Sequence, residues 1–553
     1  MFVPVHLDIL KFFYPIGNTP ATCFTRNLAR EERGDILLLG CGDVRNILFT
    51  LHSERNNSRR LDITCCDIED AVIARNMLLF SVIIADTDGK HQQMTWDIYY
   101  HFYLDQVSLQ FLNNQARELL SLSTSMEAWH KTLYGRILRF CDLATFTRVR
   151  ALWKAYSMQD LNEKSRAAFD CLLEASIKRA NETREYFIGS KHAHVTTGIR
   201  SAAPAGLAYA QDAHKSYQHY WKHGSTNHDP ETLSETNLPN PLFALNTIGA
   251  PTLHYGTDPL LGFHLATAFT PVECTLPASV DPTRTPVLRV VEAARLQFRE
   301  WCDAFRSSFR SDLSIRFFTG DAIAFAHALH QLKLSKSKVS RNSYQNSHSL
   351  NPIELDGKEY AATHGAPYTF NVIDTSNLID HVGGLNLLSA TSPLLRSNVS
   401  STLYTESLVK REKDHRAYID TLLCGDFATI SLLLDLFPIE YWTNASSTST
   451  ADDVMFDIAL RLTGSDESGQ MHVKLTWKRS GLLPRGNWGA IERKLRFDES
   501  DLAHVLHRVY RNMFQHEDLL SLFKGLDNLK LKRNSTVHYH RGSFVFFLRV
   551  VKN

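Results

Sequence analysis

The chain has 553 residues, with 60 lysines and arginines against 59 aspartates and glutamates, and a formal net charge of +1. With 44% hydrophobic and 22% charged residues, its composition excludes a mainly disordered, collagen-like or coiled-coil chain and a chain-wide electrostatic nucleic-acid binder. At about 150 residues per domain, the length alone suggests roughly three to four domains.

The stretch from Met1 to Asp8 lacks a basic region and carries an acid early, which makes a poor secretory signal. The longest apolar stretches, 77–85 and 430–437, are too short to span a bilayer. The nine cysteines contain no Cys-x-x-Cys pair, so neither a zinc ribbon nor a redox dithiol is written here. An odd, scattered set suits a reducing compartment. The expectation is a cytoplasmic protein with no membrane span.

In chain order, the first informative run is Asp35-Ile36-Leu37-Leu38-Leu39, bounded by Gly34 and Gly40. It reads as a fully buried strand of a parallel sheet. Gly40-Cys41-Gly42-Asp43 follows at once, then helical spacing over 44–51. A strand, a Gly-x-Gly turn and a helix open a nucleotide-binding α/β unit, because the glycines let backbone approach a ligand and the helix start favours an anion. Residues 61–66 read as a second strand ending in Asp67. An acid there either hydrogen-bonds a ribose hydroxyl or caps the helix predicted over 69–84, and both readings stand.

Residues 107–187 read as a helical block and 287–309 as another helix. Residues 226–241 and 277–286, each with three prolines, read as loops. Residues 314–318 form an alternating strand, closed by Gly320-Asp321-Ala322 and a helix over 323–334. The stretches 335–352 and 443–451 are polar and expected to be poorly ordered. Residues 370–374 form an apolar strand ending in Asp374-Thr375-Ser376-Asn377, followed by a helix over 378–390. Beyond it, 473–477 alternate as a half-buried strand, 501–524 look helical, and 542–551 read as a strand or short helix. Four strand–acid–helix units therefore occur in order. Right-handed crossovers lay them in one parallel sheet with the acids along its carboxyl edge.

This ordered set resembles the class I S-adenosylmethionine-dependent methyltransferase fold. Gly40-Cys41-Gly42 resembles the first motif, Asp67 with Ala74-Arg75-Asn76 the ribose-binding acid and its follower, Gly320-Asp321-Ala322 the adenine-side motif, and 370–377 the fourth-strand motif. The resemblance implies S-adenosylmethionine contacts at Gly40, Gly42, Asp67 and Asp321, with Asp374, Asn377 or His381 near a methyl acceptor. Three features depart from the pattern. Leu38 stands where an acid precedes the first glycine, Val44 stands where a further glycine is expected, and the fourth strand lacks the Asn/Asp-Pro-Pro-Tyr sequence of amino methylases.

A closer resemblance rests on Phe13-Tyr14-Pro15-Ile16-Gly17-Asn18-Thr19-Pro20, on Leu38-Leu39-Gly40-Cys41-Gly42-Asp43-Val44-Arg45-Asn46-Ile47-Leu48, and on Asp374-Thr375-Ser376-Asn377-Leu378-Ile379-Asp380-His381-Val382-Gly383. These resemble an uncharacterised fungal family whose N-terminal domain of unknown function is shared with dynein axonemal assembly factor 3. Many members add a C-terminal MYND zinc finger. The chain has no MYND cysteine array, so zinc does not carry over. It stops soon after His538-Tyr539-His540-Arg541, which fits either a finger-less member or a truncated gene model.

Weaker constellations have plainer readings. His192, His194, His214, His219, His223 and His228 cluster, and His219 and His223 have the i, i+4 spacing that lets two imidazoles share a metal. No Glu follows His219, so the zincin pattern is absent and a solvated helix face is the plainer account. His381 could act as a general base at the sheet edge, or simply belong to a helix start beside Ser376 and Asn377, which are good caps. Lys333, Lys336, Lys338 and Arg341 form a basic run that reads as a solvated linker rather than a nucleic-acid patch.

The expected fold is α/β: a Rossmann-like, methyltransferase-type parallel sheet with a large, mostly helical insertion. Residues 1–84 form the first half of the core, 85–313 the insertion, 314–400 the second half, and 401–553 an α+β region that completes or packs on it. Two functions follow. One is a non-catalytic scaffold for protein interaction or complex assembly, motivated by Leu38 and Val44, with protein partners and no cofactor. The other is a divergent methyltransferase that uses S-adenosylmethionine.

Overall fold

The computed structural model describes residues 12–158, 163–188, 201–203, 206–244, 252–268, 285–308, 313–341, 351–361, 365–409, 415–447, 470–479, 497–515 and 539–552. One eight-stranded sheet organises them. Its strands are β1 (Gly34–Leu39), β2 (Leu61–Asp67), β3 (Leu138–Phe140), β4 (Leu313–Thr319), β5 (Val372–Asp374), β6 (Thr402–Val409), β7 (Phe437–Pro438) and β8 (Gln470–Lys478). Their order is β7-β8-β6-β5-β1-β2-β4-β3. The six strands from β6 to β3 run parallel, and β8 is antiparallel to both β6 and β7. The chain is thus a mixed α/β protein with a large, mostly parallel sheet.

The central strands are buried on both faces, which requires apolar side chains at alternate positions in both directions. In β1, Ile36 and Leu38 enter one hydrophobic cluster, and Leu37 and Leu39 enter the other. The first cluster is covered by α1 (Arg45–Ser53), α2 (Asp70–Ala85) and the stretch 85–313 that the sequence marks as the expected insertion. This stretch contributes α3 (Gln92–Tyr100), α4 (Gln106–Leu122), α5 (Leu143–Tyr156), α6 (Glu163–Ile188), α7 (Gly206–His223) and α8 (Pro286–Ser308). The second cluster is covered by α9 (Ala322–Ser335), α10 (Ile379–Val382), α11 (Gly384–Thr391), α12 (Glu499–Met513) and α13 (Arg541–Lys552).

Several elements differ from the sequence pattern for identifiable reasons. The helical block expected over 107–187 is interrupted by β3, which pairs with Ile315–Phe317 of β4. Its apolar residues also fit a helical spacing, so periodicity alone hides it. The single helix expected over 378–390 breaks into α10 and α11 at Gly383, whose φ is +83°. Gly384 lets the chain pass close to its neighbour, because a Cβ there would lie 2.5 Å from the Leu422 carbonyl oxygen. The loop expected over 226–241 contains the helix Pro230–Glu235, capped by Asp229.

In the stretch expected to be disordered, Val339–Ser340 pairs with Ile353–Glu354, while 342–350 lie outside the described residues. In the basic run Lys333, Lys336 and Arg341 are exposed, and the three lysines bond back to neighbouring segments. Lys333 donates to the Pro393 carbonyl at 2.7 Å, Lys336 to the Tyr368 hydroxyl at 3.2 Å, and Lys338 to the Gly357 carbonyl at 2.5 Å. The final segment is helical, and 277–284, 448–451 and 516–524 lie outside the described residues. Among the described residues, no single helix is long and apolar enough to cross a membrane.

Candidate functional site

From β1 the chain moves outward through β2 to the edge strand β3, comes back to β4 between them, and then crosses to β5 on the other side of β1. The carboxyl ends of β1 and β5 therefore flank the switch point where open α/β sheets take ligands. β1 ends in a double left-handed turn, with φ of +67° at Gly40 and +56° at Gly42. Side chains resist this conformation, so glycine is favoured at both positions.

The turn's polar groups are satisfied internally. Gly42 N–H donates to Asp67 Oδ2 at 3.0 Å, and its carbonyl accepts from Asn76 Nδ2 at 2.6 Å. Asp67 Oδ1 accepts from Glu69 N–H at 3.1 Å, and the Asp67 carbonyl accepts from Gly320 N–H at 2.8 Å. Asp67 thus joins the loops that follow β1, β2 and β4. Burial raises its pKa, while the Glu69 and Gly42 amides pull it back. It is not the N-cap of α2; Glu69 holds that position without a side-chain cap bond. Val44 is fully buried in the core instead of standing over the glycines. Leu378 stands there: a Cβ on Gly40 would lie 3.2 Å from Leu378 Cγ, whereas one on Gly42 would meet nothing within 4 Å.

Two further layers hold this turn. Tyr99 of the insertion donates its hydroxyl to Asn76 Oδ1 at 2.7 Å and accepts from Val44 N–H at 3.4 Å. Arg75 is fully buried, donates to the Pro15 and Tyr99 carbonyls, and lies over the rings of Tyr99 and Phe243. The N-terminal segment then straps the edge. Gly17 N–H donates to Asp43 Oδ2 at 2.8 Å, and Arg45 donates to the Thr19 carbonyl at 2.8 Å and to its hydroxyl at 2.9 Å. The strap passes so close that a Cβ on Gly17 would lie 1.7 Å from the Arg45 guanidinium. Phe12–Phe13 pairs with Thr252–Leu253 of the insertion, and Ala21 N–H donates to Gly262.

The remaining expected site residues fall into place around this centre. Asp321 caps α9, accepting from Ala324 N–H at 2.9 Å. Burial raises the Asp374 carboxyl to about 6; Ser376 N–H pulls it back through a 3.0 Å hydrogen bond to Oδ1. Ser376 has a φ of +47°, a strained value for a residue with a side chain. Asn377 Nδ2 lies 3.4 Å from His381 Nε2 on the exposed side. His254 from the insertion lies close enough to His381 to feel its charge, although burial is the main reason its pKa falls to about 4. The structure therefore joins Gly42, Asp67 and Gly320 by hydrogen bonds and seats Leu378, just after the Asp374 turn, on Gly40. Asp321 is engaged with its own helix.

Asp43, Arg45 and Tyr99, which hold the turn, carry no assigned role in the sequence analysis, and Asn76 enters there only within the Ala74-Arg75-Asn76 motif that follows Asp67. The signal lay in the motifs around Gly17 and Arg45, distant in sequence and interlocked in space. Elsewhere, the His219 ring stacks on His228 with centroids 3.8 Å apart, and its Nε2 bonds the Asn227 carbonyl at 2.6 Å, so that nitrogen donates and is not a metal ligand. His192 and His194 lie outside the described residues, and no group able to hold a metal ion occurs among the described ones.

No curated protein and no solved structure matches the chain. A family model described as a domain of unknown function (DUF4470) matches residues 15–104, a stretch that runs from Pro15 of the strap through the glycine turn and Asp67 to Arg75, Asn76 and Tyr99.

Proposed function

We propose that this chain is a non-catalytic scaffold on a methyltransferase-type fold, acting in protein interaction or complex assembly. The observation that carries this reading is the state of the glycine turn. Its amide and carbonyl at Gly42 are bonded to Asp67 and Asn76, Asp67 is bonded to backbone amides, and Leu378 covers Gly40. The groups that would receive a cofactor are engaged with the protein itself, and displacing each such buried bond costs about 1–3 kcal/mol.

Strand order supports the fold half of the proposal. Counted along the core without the edge strand β3, β4-β2-β1-β5-β6 follows the doubly wound order 3-2-1-4-5. In this reading 1–84 and 314–400 are halves of one core, 85–313 is an insertion, and 401–553 completes the sheet. The resemblance to the fungal family and to dynein axonemal assembly factor 3 supports assembly work with protein partners in the cytoplasm.

Open space beside Gly42 and the exposed side chain of Ile68, next to Asp67, favour a second reading as a divergent methyltransferase. Calorimetric titration of the folded protein with S-adenosylmethionine and S-adenosylhomocysteine separates the two. The scaffold gives no binding heat. Micromolar affinity that Gly42→Arg abolishes would establish the methyltransferase reading instead.

A further inference from the structure

Away from the sheet edge, α3, α8 and the 226–232 segment line a half-open cavity of about 810 Å³. That volume lies in the range of small-molecule sites. Its exposed wall area is mainly apolar, with Trp96, Val291 and Phe298 among the lining residues, and Asn227, Glu292, Arg295 and Arg299 also line it. A second space of about 380 Å³ shares Asn227 and Arg295 with it.

The polar side is held in one arrangement. Thr226 Oγ1 accepts from Trp96 Nε1 at 3.0 Å and from Arg295 Nη2 at 3.1 Å, which occupies both lone pairs. Its proton therefore points to His101 Nε2 at 2.8 Å, which also accepts from Thr226 N–H at 3.2 Å. His101 must then carry its proton on Nδ1, facing Asp97 Oδ1 at 3.1 Å. Asp97, His101 and Thr226 are in the order of a nucleophilic triad. The hydroxyl has no lone pair left to attack with, so the chain of bonds positions Arg295 and does not catalyse.

Arg295 is the unbalanced member. It also donates to Asn227 Oδ1 at 2.6 Å, but it makes no ion pair among the described residues, and its Nε is shielded from solvent without a partner. Asp97, beyond ion-pair distance, is the carboxylate that acts on it. Of the acids on the cavity wall, Asp229 is engaged in capping the helix Pro230–Glu235, and Glu292 interacts elsewhere in the protein while its Oε2 stays buried without a hydrogen bond. Holding a guanidinium largely out of water with no ion pair is costly, and a bound anion would lower that cost.

We propose that this cavity binds a small organic anion, a carboxylate or phosphate on an aromatic or aliphatic body, with Arg295 as its counter-ion. The apolar walls take the body of the ligand and the guanidinium takes its charged head. The site is independent of the glycine turn and of the scaffold reading.

The test is a fluorescence titration with 8-anilinonaphthalene-1-sulfonate, an aromatic anion, on the full chain. Wild type is expected to bind it at one saturable site, displaced by benzoate or phenyl phosphate and not by neutral benzamide. Arg295→Met should weaken binding about 10- to 100-fold, the contribution of a charged hydrogen bond. Asn227→Asp keeps the arginine but places a carboxylate against it, should weaken binding similarly, and decides the matter where Arg295→Met does not fold. Absence of saturable binding, unchanged affinity in a folded variant, or equal displacement by benzamide would overturn the proposal.

Discussion

Glu359→Gln is expected to destabilise the fold by about 3–5 kcal/mol, the cost of breaking a buried ionic group by removing one partner. Glu359 is fully buried. Arg139 Nε stands 2.7 Å from both of its oxygens, and Arg316 Nε stands 2.7 Å from one. Arg316 also pairs with Asp62, whose other oxygen faces Arg33 at 3.7 Å. A glutamine leaves two guanidiniums without their shared charge and turns an amide N–H₂ toward them. The urea midpoint reads the loss directly. The loss depends on pH. Burial pushes the Glu359 carboxyl up, and the two arginines more than offset this and leave it below its ordinary value. A carboxyl lowered on folding contributes stability that is complete above its unfolded pKa of about 4.3 and fades as pH falls through the folded value. Wild type and variant should therefore converge in strong acid. Asp62 titrates the other way, raised by burial against the pull of Arg316, but it is present in both proteins.

These charges also mark where the sequence stops being legible. The β1 core was readable because Ile36, Leu37, Leu38 and Leu39 are all apolar, and a strand between two cores can be little else. The helix expected over 69–84 runs Asp70–Ala85, and that over 287–309 runs Pro286–Ser308, because each is a long apolar-rich run with no glycine or proline past its first residue to break it. β6 escaped notice. Its Thr402, Thr405 and Ser407 look like a solvated segment, yet they are buried with partners: Trp477 Nε1 donates to Thr405 at 2.9 Å and Ser407 donates to Asp380 at 2.5 Å. Polar residues satisfied by distant partners carry no local signal.

The candidate site was legible in its positions and not in its bonds. Gly40, Gly42, Asp67, Gly320 and Asp374 do gather at the ends of neighbouring strands. What a sequence cannot display is the direction each group faces. Asp67 turns back onto Gly42 and Glu69, Asp321 onto its own helix, and Leu378 onto Gly40. Spacing identifies an acid at a strand end, and only coordinates tell whether it faces a ligand or the loop beside it.

Arg75 tests that distinction most directly. Arg75→Ala is expected to cost about 3–5 kcal/mol, since it opens a cavity in the core and leaves the Pro15 and Tyr99 carbonyls without their donor. Arg75→Met keeps most of the volume and removes a charge that makes no ion pair among the described residues, so its global cost should be smaller. Both variants release Pro15, and the strap is held next by Gly17 on Asp43 and Thr19 on Arg45. Amide hydrogen exchange at Gly17 should therefore accelerate by about tenfold or more even in the methionine variant, while exchange within β1 follows global stability alone. Unchanged exchange at Gly17 in a folded variant would show that the strap does not depend on Arg75. Loosening the strap still leaves Asp67 and Asn76 on Gly42. The scaffold reading therefore requires that Arg75→Met, like the wild type, give no heat with S-adenosylmethionine; heat gained on releasing the strap would identify it as a cover over a working cofactor site.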